Sequence, residues 1–136
     1  MKTDEELRKT FKMSLDEKGI INLVVFVMEK DPEDSAHVME LIKDDFLKIF
    51  SENPDKKFRV LADMSPIGAI SRYGFSSQVR KIGAQLMSNE QIEKGALITS
   101  SIFVKTVIDF IVTLVRKRDS IKIFLNKEDA ISWLKE

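Results

Sequence analysis

The stretch Ile20-Ile21-Asn22-Leu23-Val24-Val25-Phe26-Val27-Met28 constrains the fold most. A nearly unbroken run of β-branched and aromatic residues offers no polar face to water, so it reads as a strand covered on both sides. Just before it, Phe11, Met13 and Leu15 alternate with Lys12 and Ser14, the period of a half-exposed strand. Between the two lies Asp16-Glu17-Lys18-Gly19, a tight-turn sequence in which Gly19 can take positive φ. The pair predicts an antiparallel hairpin with an interior second strand.

Helices are needed to cover such a strand, and the chain supplies them. Asp31-Pro32-Glu33-Asp34 is a helix start, with proline in the first turn and carboxylates near the positive end of the dipole. Val38, Leu41, Ile42, Phe46, Ile49 and Phe50 follow at helical spacing, and Asn53-Pro54-Asp55 stops that helix. Phe58 to Ala62 is a short apolar strand ending at Asp63, and Phe75, Val79, Ile82, Gly83 and Leu86 mark a second helix. Gly95 to Thr99 is a further strand, after which Ser100 or Ser101 caps a third helix. Ile121 to Leu125 is the last strand, and Asn126-Lys127-Glu128-Asp129 opens a helix carrying Ala130, Ile131, Trp133 and Leu134. The Trp133-Leu134 pair is expected to lock that helix onto the sheet.

The order β-β-α-β-α-β-α-β-α predicts an α/β fold with a mostly parallel sheet and an antiparallel first strand. With 136 residues the chain has material for one core, so residues 1–136 are read as one domain, with 1–8 flexible.

One segment, Gly95 to Val115, is about long enough to cross a bilayer. Lys105, Asp109, Thr113 and Lys117 recur through it every four residues and make a polar stripe, so it reads as an amphipathic helix with an unusually wide apolar face. Lys105 and Asp109 are spaced to pair across one turn. No transmembrane segment is expected. The opening residues Met1-Lys2-Thr3-Asp4-Glu5-Glu6 are polar and acidic, unlike a secretory signal.

Composition narrows function by exclusion. Twenty-two basic residues balance 22 acidic ones, which argues against a general nucleic-acid binder. There is no cysteine, hence no disulfide, thiol nucleophile or zinc-thiolate site, and the expected location is cytoplasmic. A single histidine, His37, rules out multi-histidine metal motifs and leaves no good base for a serine triad; it reads as a solvated surface residue. Dinucleotide, Walker A, nucleophile-elbow and zinc-protease strings are all missing. The expectation is a non-enzymatic protein with no cofactor and no metal.

The segment from Ile121 to Leu134, a strand ending in Phe, an acidic helix start and then Ala-x-x-Trp-Leu, resembles the closing segment of small STAS-like proteins. Val60-Leu61-Ala62-Asp63-Met64-Ser65 is similar to their central strand and its exit loop. The family is the SpoIIAA-like superfamily, which holds the anti-sigma-factor antagonists and relatives of the CRAL-TRIO lipid-binding lobe. The resemblance, from about Phe11 onward, implies strands in sequential order and helices predominantly on one face. It also implies a site at the helix following the central strand, where such proteins carry a phosphorylated Ser within Asp-Ser-Ser-Gly-Leu. Here the string is Ser71-Arg72-Tyr73-Gly74-Phe75, with Tyr73 in the place of that Ser and Ser71 in the place of the Asp. The phosphoswitch is therefore not expected to carry over.

Several side chains at strand ends are candidates for contact with a partner or ligand. Asp63 either orients a ligand or caps the loop toward Ser65. Ser100 and Ser101 either receive an anion or simply cap the helix. The loop Ser65-Pro66-Ile67-Gly68-Ala69-Ile70 is either a partner-binding edge or folded over the sheet. With Ser71 and Tyr73 these are the tentative partner-binding residues. Glu29, Asp31, Asp63, Ser100 and Lys127 together fit a less favoured reading, a Mg²⁺-dependent phosphoacceptor. Six methionines are expected to fill gaps in the core.

If helices lie on one side only, the apolar alternates of the second strand, such as Val24 and Phe26, leave a sheet face needing cover. The leading expectation is thus a STAS-like regulatory or binding module that contacts a protein partner and forms a homodimer. The alternative is a carrier or sensor of a small hydrophobic, lipid-like ligand held against the wide face of the Ile102–Val115 helix.

Overall fold

The computed structural model describes residues 2–67 and 76–136. Five strands form one sheet in chain order: β1 (Phe11–Leu15), β2 (Ile20–Val25), β3 (Phe58–Asp63), β4 (Ile92–Ile98) and β5 (Ile121–Phe124). β1 is antiparallel to β2, with Phe11 opposite Val25 and Leu15 opposite Ile21, and Gly19 turns the hairpin at φ 79°. The remaining pairs are parallel. Around the sheet lie α1 (Asp4–Leu7), α2 (Pro32–Glu52), α3 (Ser77–Met87), α4 (Ile102–Leu114) and α5 (Lys127–Lys135).

The helix starts follow the chemistry of their caps. Asp31 accepts from the N–H groups of Glu33 and Asp34 ahead of Pro32. Ser76, Ser101 and Asn126 each accept from a first-turn N–H of α3, α4 and α5. α4 ends in a Schellman turn: the N–H of Arg116 donates to the Thr113 carbonyl and that of Lys117 to the Val112 carbonyl, with Arg116 at φ 60°. β4 begins at Ile92, earlier than the apolar run at Gly95 suggests, because Phe58 pairs with Ile92 at the start of the ladder. The Gln91 amide secures that corner by donating to the carbonyls of Phe50, Asn53 and Lys56.

One sheet face carries Phe11, Ile21, Leu23, Val60 and Ala62 against Val38, Leu41, Ile42, Phe46 and Phe50 of α2. Farther along, Ile121 and Ile123 pack on Val104, Ile108 and Val112 of α4. α3 fills in through Leu86, and its Val79 and Ile82 meet Ala36 of α2.

The opposite face departs from expectation. It does not stand open as an apolar surface, because α5 crosses to it and buries Leu61, Ala96 and Ile98 beneath Ala130 and Leu134. Trp133 tilts against Phe124 with ring centroids 5.8 Å apart, and the ammonium groups of Lys94 and Lys122 sit over its ring. Over β1 and β2 the same face is largely polar, with Lys12 and Ser14 exposed and Asn22 half-buried beside Ile20 and Val24. β2 is accordingly buried on one side only, and it stops at Val25, leaving Phe26 and Val27 exposed.

From Lys2 onward the N-terminal segment packs against α2. Thr3 and Glu6 form a capping box that starts α1, and Leu7 is fully buried in the core beside α2. Ion pairs strap this segment down, from Lys2 to Glu29 at 2.8 Å and from Arg8 to Asp45 at 2.9 Å. Among the described residues, no helix is long and apolar enough to cross a membrane.

Candidate functional site

The carboxyl edge of the sheet brings several expected residues side by side. Asp63 stands opposite Ile98 in the β3–β4 ladder, so the loops after β3 and β4 leave the sheet as neighbours. Asp63 Oδ1 accepts from the Ser65 N–H at 2.9 Å and from the Ser65 hydroxyl at 2.6 Å. Of its two readings, the cap is the one its hydrogen bonds describe. Ser65 to Ile67 then form one 3₁₀ turn, with Ser65 exposed and Ile67 half-buried. Next door, the buried Thr99 accepts from the Ser101 N–H at 3.1 Å, and Ser101 caps α4 through the Val104 N–H. Ser100 is exposed between them. Ile70, Ser71 and Tyr73 lie outside the described residues.

The acidic set expected of a phosphoacceptor is otherwise engaged. Glu29, buried, is paired with Lys2, and Asp31 caps α2. Lys127 opens α5 and edges a trough floored by Ile20, Leu61 and Ile131. Among the described residues, no three His, Asp or Glu side chains are grouped to hold a metal ion. His37 is half-buried, with Nε2 2.7 Å from Asp4 Oδ1, so it joins the strap holding α1.

Among the described residues, charge is perturbed at three places, all structural. A backbone hydrogen bond from Ile20, with others from Asn22 and Lys18, holds the Asp16 carboxyl below its ordinary range. Hydrogen bonding to Glu29 raises Lys2, and hydrogen bonding to Asp45 raises Arg8. Asp16 lies on the rim of the trough that Lys127 edges, and its hydrogen bonds tie the hairpin turn.

Two apolar features are better developed than the polar edge. The first is the outer side of α4. Val104, Ile108, Ile111 and Val112 face inward, which leaves Phe103, Phe110 and Leu114 at 50%, 63% and 64% exposure and Ile102 at 71%. Val107 is half-exposed between them. Phe103, Val107, Phe110 and Leu114 are separated by four, three and four residues, the spacing of a coiled-coil seam. Lys105 and Asp109 form the expected pair, at 3.0 Å, on an adjoining face. The signal for the stripe was present in the sequence as surplus width of the apolar face; the spacing within that width was what sequence reasoning passed over.

The second feature is a cavity of about 130 Å³ between the sheet and helices α2, α3 and α4. Its walls are hydrocarbon and thioether, from Phe46, Leu97, Ile108 and Ile111 to Met39, Met64 and Met87, with Arg80 the one charged residue among those that line it. Half of the six methionines therefore border an open space in the core.

Residues 15–136 match a protein family described as Domain of unknown function (DUF7793), and since the match takes in most of the chain, the chain belongs to that family. No curated protein and no solved structure matches it.

Proposed function

We propose that this chain is a non-enzymatic, STAS-like interaction module that works through protein contacts, and that its first partner is a second copy of itself docked on the outer side of α4. The observation that carries the reading is the exposed stripe Phe103, Val107, Phe110 and Leu114. Large apolar side chains lined up on one helix face are costly to leave in water, and contiguous patches of this kind mark interaction sites.

The spacing itself argues for self-association. A four-three-four pattern reads the same in both directions, so two α4 helices crossing antiparallel place Phe103 opposite Leu114 and Val107 opposite Phe110 of the second copy. Such an arrangement is closed and two-fold, the commonest symmetry for soluble oligomers. Each stripe offers on the order of 400–500 Å² of apolar surface. Two together reach about 800–1,000 Å², at the lower edge of the range for a specific interface, so the dimer belongs to the weak, reversible class. The sequential strand order agrees with what the STAS resemblance implies for the fold, and the occupied state of Asp63, Glu29 and Asp31 leaves the edge poor in free catalytic groups.

Sedimentation velocity over a wide concentration range tests the reading, with Phe110→Glu as the interface variant. The expected outcome is a concentration-dependent dimer for the native chain and a monomer with unchanged circular dichroism for the variant. A native chain that stays monomeric up to its solubility limit overturns it.

A further inference from the structure

We infer that the cavity between the sheet and helices α2, α3 and α4 is a binding site for a compact, neutral, apolar molecule of roughly six carbon atoms, a size class set by a space of about 130 Å³. Protein interiors are packed to crystal-like density, so a partly open hollow of this size reaching into the core of so short a chain is a departure that needs a reason. Its lining dictates the ligand's chemistry. Leu97, Ile108, Ile111 and Phe46 present only carbon to the space, so it neither holds water well nor offers a hydrogen bond to a polar guest.

Size sets the other limit. Cavities of about 150 Å³ lined by Leu, Ile and Phe accept benzene or xenon, whereas sites for larger ligands run to about 300–1,000 Å³. A full acyl lipid is too large for the space, and a single ring or short branched chain fills it. Met39, Met64 and Met87 add adaptability, because unbranched thioether side chains move between rotamers at little cost and let a wall follow the shape of a guest.

A gap in side-chain volume on α3 contributes to the hollow. Gly83 borders the space, and a Cβ there would meet nothing nearer than the Met39 Cε at 4.0 Å. A larger residue at 83 is therefore a direct plug.

The inference does not rest on dimerisation and holds for a monomer. The experiment uses the full chain with ¹³C-labelled methionine and isoleucine methyl groups, titrated with benzene. Expected are saturable shifts confined to methyl groups that line the space, Met39, Met64, Met87, Ile108 and Ile111 among them, a rise in the thermal midpoint, and loss of both in Gly83→Leu. Gly83→Ala, which suits a helix and adds one methyl, should fold and bind more weakly than the native chain. Should Gly83→Leu fail to fold, a crystal of the native chain under xenon decides, with density expected between Met39 and Ile111. Absence of saturable shifts in the native chain, undiminished binding in a folded Gly83→Leu, or a xenon-treated crystal empty at that place overturns the proposal.

Discussion

Ile108 and Phe110 stand two residues apart on α4 and face opposite ways: Ile108, 4% exposed, borders the core cavity, and Phe110, 63% exposed, faces solvent. The same helix thus serves as an inner wall and an outer surface. Ile108→Ala should lower stability by about 2–4 kcal/mol, the usual cost of truncating a buried aliphatic side chain. Phe110→Ser should leave monomer stability within about 0.5 kcal/mol while weakening self-association. Urea titration of both variants, at a concentration where the native chain is monomeric, separates the two effects.

Arg116 holds φ 60° at the end of α4 and donates its N–H to the Thr113 carbonyl. A side chain with a Cβ is strained in that region, and glycine is not. Arg116→Gly is expected to stabilise the fold by about 0.5–1 kcal/mol after the added freedom of the unfolded chain is counted. Arg116→Ala, which keeps the Cβ, should bring no such gain. Denaturant midpoints of the two variants check the difference.

Asp16 ties the hairpin by accepting from the N–H of Lys18 at 2.9 Å, the N–H of Ile20 at 3.0 Å and the Asn22 amide at 3.0 Å. Its carboxyl is held below the ordinary value, led by the hydrogen bond from Ile20. A group depressed in the folded state favours folding above its unfolded value, near pH 4, and that contribution is lost as pH falls through the lower folded value. The stability gap between the native chain and Asp16→Asn should therefore be full above about pH 5 and close in strong acid. Urea midpoints measured against pH give the readout.

Leu7, fully buried, anchors the N-terminal segment in the core beside α2. Leu7→Ala should cost about 2–4 kcal/mol. Hydrogen exchange should then report loosening first in α1 and in the residues it touches on α2.

Much of the fold could be read before the coordinates. Alternation in Phe11–Leu15 and the turn at Gly19 located the hairpin, and Asp31-Pro32, the Ser100-Ser101 pair and Asn126 located helix starts, because these signals act within a few residues. What could not be read were relationships set by distant packing. A run such as Ile20–Val25 looks the same whether one face or both are covered, and only the crossing of α5 to the far side decides which. Leu7 sits in a polar, acidic stretch, so a single buried anchor left no periodic trace. The candidate site was divided in the same way. Asp63, Ser65 and Ser101 could be placed because capping is local, and the pair Lys105–Asp109 because it lies one turn apart. The cavity arises where three helices meet the sheet, and no stretch of sequence contains it.

The placement of α5 has a consequence for how the chain is made. Strands join their neighbours in the order of synthesis, so the sheet can be laid down one hydrogen-bonded edge at a time. The rear of β3 and β4, with Leu61, Ala96 and Ile98, stays wet until residues 127–135 emerge and swing behind them. Until then the nascent chain carries an adhesive back, and α5 acts as the shutter over that patch.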